Sequence, residues 1–250
     1  MRALDPTCSS QANDVVAQSD WLQSLSGADA FTNWVISEIS PWLSGRVLEV
    51  GCGIGTYTIE IAKRAREVIS FDLESRFVNQ AAQRVRHCQN VKVFCGDATG
   101  FDLAAPDDGG FDAVVLLDVL EHIENDASLV ERLVARLVPG GCLILKVPAM
   151  SSLYSPIDAA IGHLRRYNKK EICNLINRTG LEDLRVWSFN AFAVPAWWWN
   201  GRVLKRRSCP SQQVVCFNRL IPVVRPLDRL ARSFCGISLF AVARRPIGLV

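Results

Sequence analysis

The chain lacks paired cysteine motifs. It has nine cysteines, but no two of them form a Cys-x-x-Cys pair. Structural zinc sites and thiol redox centres use such pairs, and disulfide frameworks use regularly spaced cysteines. The scattered pattern therefore argues against all three and favours free thiols in a reducing compartment.

Long apolar segments are also missing. No stretch of about 18 consecutive apolar residues occurs, which argues against a membrane-spanning helix. The first ten residues contain no apolar core of signal-peptide length. We therefore expect a cytoplasmic protein. Its 250 residues, 49% of them hydrophobic, are enough to bury one large α/β core.

Acidic residues are scarce near the end of the chain. Between Gly201 and Pro246, ten lysines and arginines face the single acid Asp228, whereas the rest of the chain has 18 basic and 24 acidic residues. This segment either forms a solvated basic face or meets an anionic partner such as phosphate, lipid head groups or nucleic acid. The tryptophans just before it, Trp197 to Trp199, cannot all face one way on a helix. Some of them therefore line a pocket, meet a partner or lie at a membrane surface, or else they pack on the domain as a lid.

Apolar runs alternate with helical patterns through the middle of the chain. Runs that are apolar on both faces predict a parallel sheet with helices on both sides. One or two helices between Trp21 and Trp42 precede this sheet. We expect three parts: a helical cap (1–45), a core (46–189 plus 237–246) and an aromatic and basic insertion (190–236). The predicted strands cover 47–50, 68–71, 91–95, 111–117, 143–147, 184–189 and 237–243.

A glycine-rich loop follows the first strand. It has glycine at positions 51, 53 and 55, between an apolar run and a helical pattern that begins at Thr56. Such a loop lets the backbone approach a nucleotide, with amide donors at its rim. A dinucleotide fingerprint needs its third glycine at the position of Thr56. The carboxylate of Glu49 would repel a pyrophosphate, but it suits a cofactor with an ammonium group.

Acidic residues end the next two strands. Asp72 lies 17 residues past Gly55, where its carboxylate can accept both ribose hydroxyls of a nucleoside. Asp97 ends the third strand, where an adenine amino group could be bound. The alternative for Asp97 is a turn-forming aspartate.

These motifs together resemble the motif series of class I S-adenosylmethionine (SAM)-dependent methyltransferases. The series is Glu-x-Gly-x-Gly-x-Gly at 49–55, Asp72, Gly-Asp-Ala at 96–98, Phe-Asp-Ala-Val at 111–114 and Leu-Val-Pro-Gly-Gly at 137–141. The chain resembles the small-molecule subgroup that includes the ubiquinone-biosynthesis O-methyltransferases, over about residues 40 to 188.

The resemblance implies a Rossmann-like α/β fold, an enzyme and a cofactor. The fold has a seven-stranded, mostly parallel sheet with an antiparallel last strand, helices on both faces and a helical insertion before the last strand. SAM is the implied cofactor. Its methionine part is implied to lie at the glycine loop, its ribose at Asp72, its adenine at Asp97 and its methyl group near Asp118. The implied cofactor-binding residues are Glu49, Gly51, Cys52, Gly53, Gly55, Asp72, Leu73, Asp97, Ala98 and Asp118.

A second polar cluster follows the fourth strand. Asp118 is followed by Glu121 and His122, and His163 comes after the fifth strand. Some relatives carry a similar acid-x-x-Glu-His pattern and a later histidine that ligates a metal, although here the first acid is the shorter aspartate. Glu121, His122 and His163 could hold a divalent metal that lowers the pKa of the acceptor oxygen. His122 or His163 could instead be a general base, or all three could be structural.

The identity of the methyl acceptor is the property that the sequence defines least. Arg165, Arg166 and Tyr167 could clamp an anionic substrate, and Trp198 belongs to the insertion that would shape the acceptor pocket. The fourth strand is followed by neither a Pro-Pro-Tyr tetrapeptide nor a Pro-Cys pair, which argues against methylation of DNA bases.

We therefore expect O-methylation of a small or lipid-like metabolite, as in small-molecule biosynthesis, with peripheral membrane contact left open. The alternatives are an RNA 2′-O-methyltransferase and a non-catalytic, SAM-binding or membrane-associated partner protein.

Overall fold

The computed structural model describes residues 6–97 and 109–248, with side chains from residue 16 onward. Helices and strands alternate along most of this range, as the sequence predicts. The helices are α1 (Pro6–Ser26), α2 (Asp29–Ile39), α3 (Thr58–Ala62), α4 (Ser75–Arg84), α5 (Asp126–Val134), α6 (Pro156–Ala160), α7 (Lys169–Asn177), α8 (Val194–Trp198) and α9 (Ser211–Ala231). The strands are β1 (Arg46–Val50), β2 (Glu67–Asp72), β3 (Val91–Cys95), β4 (Phe111–Leu117), β5 (Leu137–Pro148), β6 (Glu182–Phe189) and β7 (Ser238–Arg244).

The strands form one seven-stranded sheet in the order β3-β2-β1-β4-β5-β7-β6. Strands β3, β2, β1, β4 and β5 pair in parallel, and β7 runs antiparallel to both of its neighbours. The predicted fold class, including the antiparallel last strand, is confirmed. The strand order reverses at β1 and β4, and ligands of such sheets bind at the carboxyl ends of the strands beside that point.

Two apolar layers cover the sheet because successive strand residues point to opposite faces. In β1, Leu48 belongs to the layer under α5 and α7, whereas Val47 belongs to the layer under α2 and α3. The second layer also contains Ile221 of α9, so the insertion contributes to the core.

Two predicted boundaries are wrong. The first helix begins at Pro6 rather than near Trp21, since proline fits the first helical position. Strand β5 begins at Leu137 rather than at residue 143, because Leu137 already pairs with Phe111 before a register shift at the Pro-Gly-Gly turn. The division into cap, core and insertion stays a prediction.

The insertion leaves and rejoins the sheet between β6 and β7. It contains α8, a π-helical turn (Trp199–Val203) and α9. Asp228 of α9 is buried and accepts backbone hydrogen bonds from Asn190 and Ala191, at 3.1 and 2.7 Å, which fastens α9 to the end of β6. Among the helices that the structure describes, none combines the length and apolar character needed to cross a bilayer.

Candidate active site

The glycine loop after β1 is held by the acid that ends β2. Asp72 accepts hydrogen bonds from the backbone amides of Gly53 and Glu74, at 2.8 and 3.0 Å. Gly51, Gly53 and Gly55 all have positive φ angles, of 72°, 52° and 80°, which favour glycine. Burial raises the pKa of Asp72, and the two amide hydrogen bonds oppose that shift. The hydrogen bonds of Asp72 therefore fix the glycine loop at the switch point of the sheet.

A cavity of about 300 Å³ lies over this loop. Its floor is formed by the glycine loop and the ends of β2 and β4, and Trp21, Leu22 and Leu25 of α1 cover it. Of the predicted cofactor-binding residues, the cavity is lined by Gly51, Cys52, Gly53, Asp72, Leu73, Asp97 and Asp118.

The other predicted cofactor-binding residues lie elsewhere. Glu49 is buried one residue behind the loop and accepts a hydrogen bond from the Ser70 hydroxyl at 2.7 Å. Gly55 faces α4, where an added Cβ would lie 3.0 Å from the Cα of Ala81, so this glycine permits close helix packing. Ala98 lies outside the described residues. Cofactor contacts of all three residues stay predictions.

The predicted polar cluster is brought together beside the cofactor cavity. Glu121, His122 and His163 place one ligand atom each within 4.8 Å of one another. His122 Nδ1 lies 3.0 Å from the carbonyl oxygen of Gly162, and His163 Nδ1 lies 3.1 Å from Asp158 Oδ1. When each Nδ1 carries the proton and donates a hydrogen bond to its acceptor, each Nε2 has a free lone pair.

The protonation states in this cluster follow from burial. Burial, assisted by the charge of His163, lowers the pKa of His122 to about 4. Burial, and then the charge of Asp118, raises the pKa of Glu121 well above its usual value. Neither oxygen of Glu121 has a hydrogen-bond partner among the described residues, and the nearest histidine nitrogen, Nε2 of His163, is 3.5 Å away.

These donors fit a divalent metal ion. Glu121 is fully buried, and its carboxyl group has no hydrogen-bond partner in the described part of the chain, so a bound cation would stabilise its ionised form. Two histidines oriented through Nδ1 match the usual support of metal ligands. Glu121, His122 and His163 would hold the ion, which would act as a Lewis acid toward a bound oxygen.

A second cavity, of about 180 Å³, adjoins the first. Both are lined by Asp118 and His163, so these two polar side chains stand at the wall between them. The rest of the second cavity is mainly apolar and includes Phe217 of α9 and Trp197 of α8. The rings of Trp197 and Trp21 meet edge to face with centroids 6.0 Å apart, which joins the insertion to α1.

The predicted substrate residues separate into two groups. Arg166 lines the second cavity, donates to Asp158 at 2.7 Å and lies over the ring of Trp197. Arg165 instead donates hydrogen bonds to Asp126 and to the carbonyl oxygen of Glu124. The hydroxyl group of Tyr167 donates a hydrogen bond to Asp126. Trp198 is exposed and lines neither described cavity, because the helical turn points Trp197 inward instead.

Comparison with known proteins agrees with this geometry. The profile of the family described as "Methyltransferase domain" matches residues 48–143. Phosphoethanolamine N-methyltransferase 1 of Arabidopsis thaliana is 32% identical over 114 residues, covering 45% of this chain and 23% of that protein. Ubiquinone biosynthesis O-methyltransferase of Xanthomonas campestris pv. campestris (strain B100) is 35% identical over 101 residues, covering 40% and 41%. The chain thus spans less than half the length of these relatives.

Solved structures share the fold. N-methyltransferase NodS from Bradyrhizobium japonicum WM9, in complex with S-adenosyl-L-homocysteine, has a TM-score of 0.54 at 17% identity, covering 86% of this chain and 85% of that one. Phosphoethanolamine N-methyltransferase 2 from Haemonchus contortus, in complex with S-adenosyl-L-methionine, has a TM-score of 0.56 at 20% identity, covering 81% and 49%. The [4+2]-cyclase SpnF has a TM-score of 0.57 at 20% identity, covering 88% and 82%.

The fold is Rossmann-like, and its first cavity lies over the glycine loop, where sheets of this kind bind nucleotide cofactors. The resemblance predicted from the motifs is confirmed. Residues 48–143 match the methyltransferase-domain family, and the chain resembles class I SAM-dependent methyltransferases, the ubiquinone-type O-methyltransferases among them.

The sequence motifs missed the contributions of α1 and of Lys146. Trp21 and Leu25 of α1 line both cavities, although their helical spacing alone indicated only a buried face. Lys146 sits inside an apolar strand, and its side chain is buried in an ion pair with Asp118. A lysine within such a run is the one signal that could have singled it out.

Proposed function

We propose that the protein transfers the methyl group of SAM to an oxygen atom of a small or lipid-like metabolite. One observation carries the proposal. The SAM-type cavity over the glycine loop adjoins a second, mainly apolar cavity, and the two meet at Asp118 and His163. A cofactor and an acceptor could therefore lie side by side, with polar groups at their junction. Relatives of both the O- and the N-methylating kind match the chain, so the choice of oxygen is part of the proposal.

The chain's main task is to place the acceptor. SAM, when bound, supplies a methyl group on an already activated sulfonium. The protein has to hold an acceptor oxygen in line with that methyl group and exclude water from the junction. Tryptophan and leucine side chains of α1 cover the cofactor cavity, and Trp197 closes the insertion side of the second one.

His163 is placed to take the acceptor proton. Burial works to raise the pKa of Asp158, but its hydrogen bond to His163 and the charge of Arg166 bring that pKa below its usual value. An ionised Asp158 accepts a hydrogen bond from the Nδ1–H group of His163 and leaves Nε2 free as a base. This is the orienting role of the aspartate in hydrolase triads.

The same histidine is also a proposed metal ligand, together with Glu121 and His122. The two roles exclude each other for Nε2 of His163. The unpartnered carboxylate of Glu121 supports the metal, and the hydrogen bond from His163 to Asp158 is compatible with both roles.

Calorimetric titration with S-adenosylhomocysteine tests the proposal. We expect wild-type protein to bind it and Gly53→Arg to lose binding at least tenfold, because the arginine would fill the cavity beside Leu22. Gly27→Arg is the matched control, since no atom lies within 4 Å of a Cβ there, and it should bind normally. Equal binding by both variants, or none by wild type, would contradict the cofactor assignment.

Methyl transfer needs its own measurement, because a cyclase shares this fold. Extracts supplied with SAM labelled in the methyl group should yield a labelled, acid-stable small molecule in the presence of wild-type protein and none with Gly53→Arg. Label in RNA would favour the RNA 2′-O-methyltransferase alternative. A protein that binds cofactor without releasing any labelled product would favour the non-catalytic alternative. Cytoplasmic location stays a prediction.

Peripheral contact with an anionic membrane is proposed for the outer face of the insertion. Large apolar side chains are exposed along α9 and just after it: Val215, Leu220, Val223, Leu227, Leu230 and Phe234. The same segment carries Arg219 and Arg229, and its one acid, Asp228, is buried. Apolar side chains framed by uncompensated positive charge are the pattern of interfacial helices.

A further inference from the structure

Lys146 is a buried cation at the carboxyl end of β5. Its side chain is 4% exposed, and its ammonium group donates hydrogen bonds to both carboxylate oxygens of Asp118. The backbones of the two residues are joined as well, since the Asp118 amide donates to the Lys146 carbonyl at 2.8 Å. Asp118 has a left-handed φ of 57°, so the chain holds this pair in a conformation that costs backbone energy.

The pair lies where the two cavities meet. Asp118 lines both cavities, and Lys146 lines the second. An ammonium group has three N–H donors, and the two oxygens of Asp118 can engage two of them. A third donor is therefore available to an atom bound in the second cavity.

A second buried donor lines the same cavity. Trp197 is 9% exposed, and its indole N–H has no hydrogen-bond partner among the described residues. Lysine ammonium and indole N–H groups donate hydrogen bonds and cannot accept them. A ligand that satisfies both has to bring lone pairs, whereas the apolar lining requires the rest of the ligand to be apolar.

We propose that Lys146 is a catalytic residue, which binds the acceptor oxygen in the second cavity and stabilises its anionic form. The acceptor is then an apolar molecule with an ionisable hydroxyl group, such as a phenol or an enol. This inference rests on the proposed methyl transfer and deepens it by naming the acceptor class.

The hydrogen-bond donor on Lys146 distinguishes methyl acceptors that react through oxygen from those that react through nitrogen. A neutral amine has one lone pair, which must point at the incoming methyl group and cannot also accept a hydrogen bond from Lys146. A phenolate or enolate oxygen keeps lone pairs for the ammonium while another attacks. The cation also opposes the approach of a protonated amine.

The proposed step balances without another reactant. The acceptor gives up its hydroxyl proton to solvent and binds as its oxyanion beside Lys146, which keeps its own proton. The oxygen then forms a bond to the methyl carbon as the bond from that carbon to sulfur breaks, which releases S-adenosylhomocysteine. The titratable groups that face the acceptor oxygen in this cavity are Asp118, Lys146, His163 and Arg166.

Removal of the charge should leave the protein folded. Loss of one partner of a buried ion pair is strongly destabilising when the other charge stays buried and uncompensated. The side chain of Asp118 is 30% exposed and can be hydrated when the ammonium is absent. Lys146→Met keeps the length of the buried stem and is therefore the informative variant.

The test uses 4-hexyl-2-nitrophenol, a coloured apolar phenol, as the probe. Its ionisation is read by absorbance against pH in the presence of protein saturated with S-adenosylhomocysteine. We expect wild-type protein to lower the apparent pKa of the bound probe by about one unit or more. Lys146→Met should bind the probe without this shift, Lys146→Arg should keep most of it, and the exposed-lysine control Lys63→Met should match wild type.

A second pair of variants tests the cavity independently of Lys146. Val214→Trp fills the second cavity and should abolish quenching of tryptophan fluorescence by the probe. Val215→Trp, on the exposed side of the same helix, should not. We also expect 4-hexylaniline to bind at least fivefold more weakly than the phenol to wild type, and this preference should vanish in Lys146→Met.

The outcomes are separable. Absence of S-adenosylhomocysteine binding would overturn the proposed function itself. Binding of S-adenosylhomocysteine without binding of the phenol, or equal quenching in Val214→Trp and Val215→Trp, would overturn the cavity assignment alone. A pKa shift of the bound probe that persists in Lys146→Met would overturn the role of the lysine.

Discussion

The buried carboxyl group of Glu49 ties the stability of the fold to pH. It is 3% exposed, and burial raises its pKa from 4.5 to about 7 despite the hydrogen bond from Ser70. The folded state therefore favours the protonated carboxyl. Its stabilising contribution is complete below pH 4.5 and is lost as the pH rises through about 7.

Glu49→Gln should remove this dependence. Between about pH 5 and about pH 8, the free energy of unfolding of cofactor-free wild type should fall relative to the variant, by up to about 3 kcal/mol. Urea denaturation at a series of pH values measures the difference. Glu131→Gln, at an exposed glutamate of α5, is the control and should run parallel to wild type. Parallel curves for Glu49→Gln would show that the carboxyl group does not titrate in the folded state over this range.

Glu121 provides the test of the metal hypothesis. Because its carboxylate has no hydrogen-bond partner among the described residues, we expect Glu121→Gln to weaken Mn²⁺ binding at least tenfold, measured by calorimetry. Glu124→Gln changes an exposed neighbour and should bind as wild type does. If thorough chelation leaves methyl transfer unchanged, the metal has no part in the reaction, and the base role of His163 remains.

Helix α1 acts as a cover for both cavities. Trp21 lines the first and the second cavity and contacts the ring of Trp197, so its removal should open both cavities and break the ring contact. We expect Trp21→Ala to weaken S-adenosylhomocysteine binding about tenfold, mainly through faster dissociation. Val16→Ala, at an exposed position of the same helix, should have no effect. Stopped-flow displacement measures both, and unchanged dissociation in Trp21→Ala would mean that α1 does not retain the cofactor.

The elements of the sheet could be predicted well because their patterns are local. The apolar run at β1 and its glycine loop gave the strand to within one residue, and Asp72 was expected and found at the rim of the cavity. Boundaries were wrong where long-range pairing or a proline start decided them, as at Leu137 and Pro6.

The residues of the second cavity were less predictable because their contacts are long-range rather than local. The partner of Lys146 lies across a strand pair, 28 residues away in the chain, and no periodicity reports such a contact. The inward choice of Trp197 over Trp198 depends on how α8 packs against α1. Residues whose role is set by nearby backbone geometry were identified in advance, and so was one long-range grouping, that of His163 with Glu121 and His122.

At the scale of the whole molecule, the segment from residue 201 to residue 246 has no exposed acidic side chain, and vesicle binding tests whether it contacts a membrane. We expect sedimentation with phosphatidylcholine vesicles only when about a quarter of the lipid is phosphatidylglycerol, with weaker binding as salt screens the arginines. Leu230→Ser with Phe234→Ser should reduce binding at least fivefold. Ile247→Ser, at an equally exposed apolar residue elsewhere, is the control. Tighter binding to single-stranded RNA than to these vesicles would overturn the membrane proposal.

The points where the insertion leaves and rejoins the sheet have an evolutionary consequence. Phe189 and Ser238 are paired neighbours on β6 and β7, so the chain departs from and returns to nearly one place. Segments of different length and composition can be exchanged there without altering the strand order or the glycine loop, which follows a strand four positions away from β6 in the sheet. Related proteins could therefore acquire new methyl acceptors by replacing this one insertion, while the part of the domain around the glycine loop is inherited unchanged.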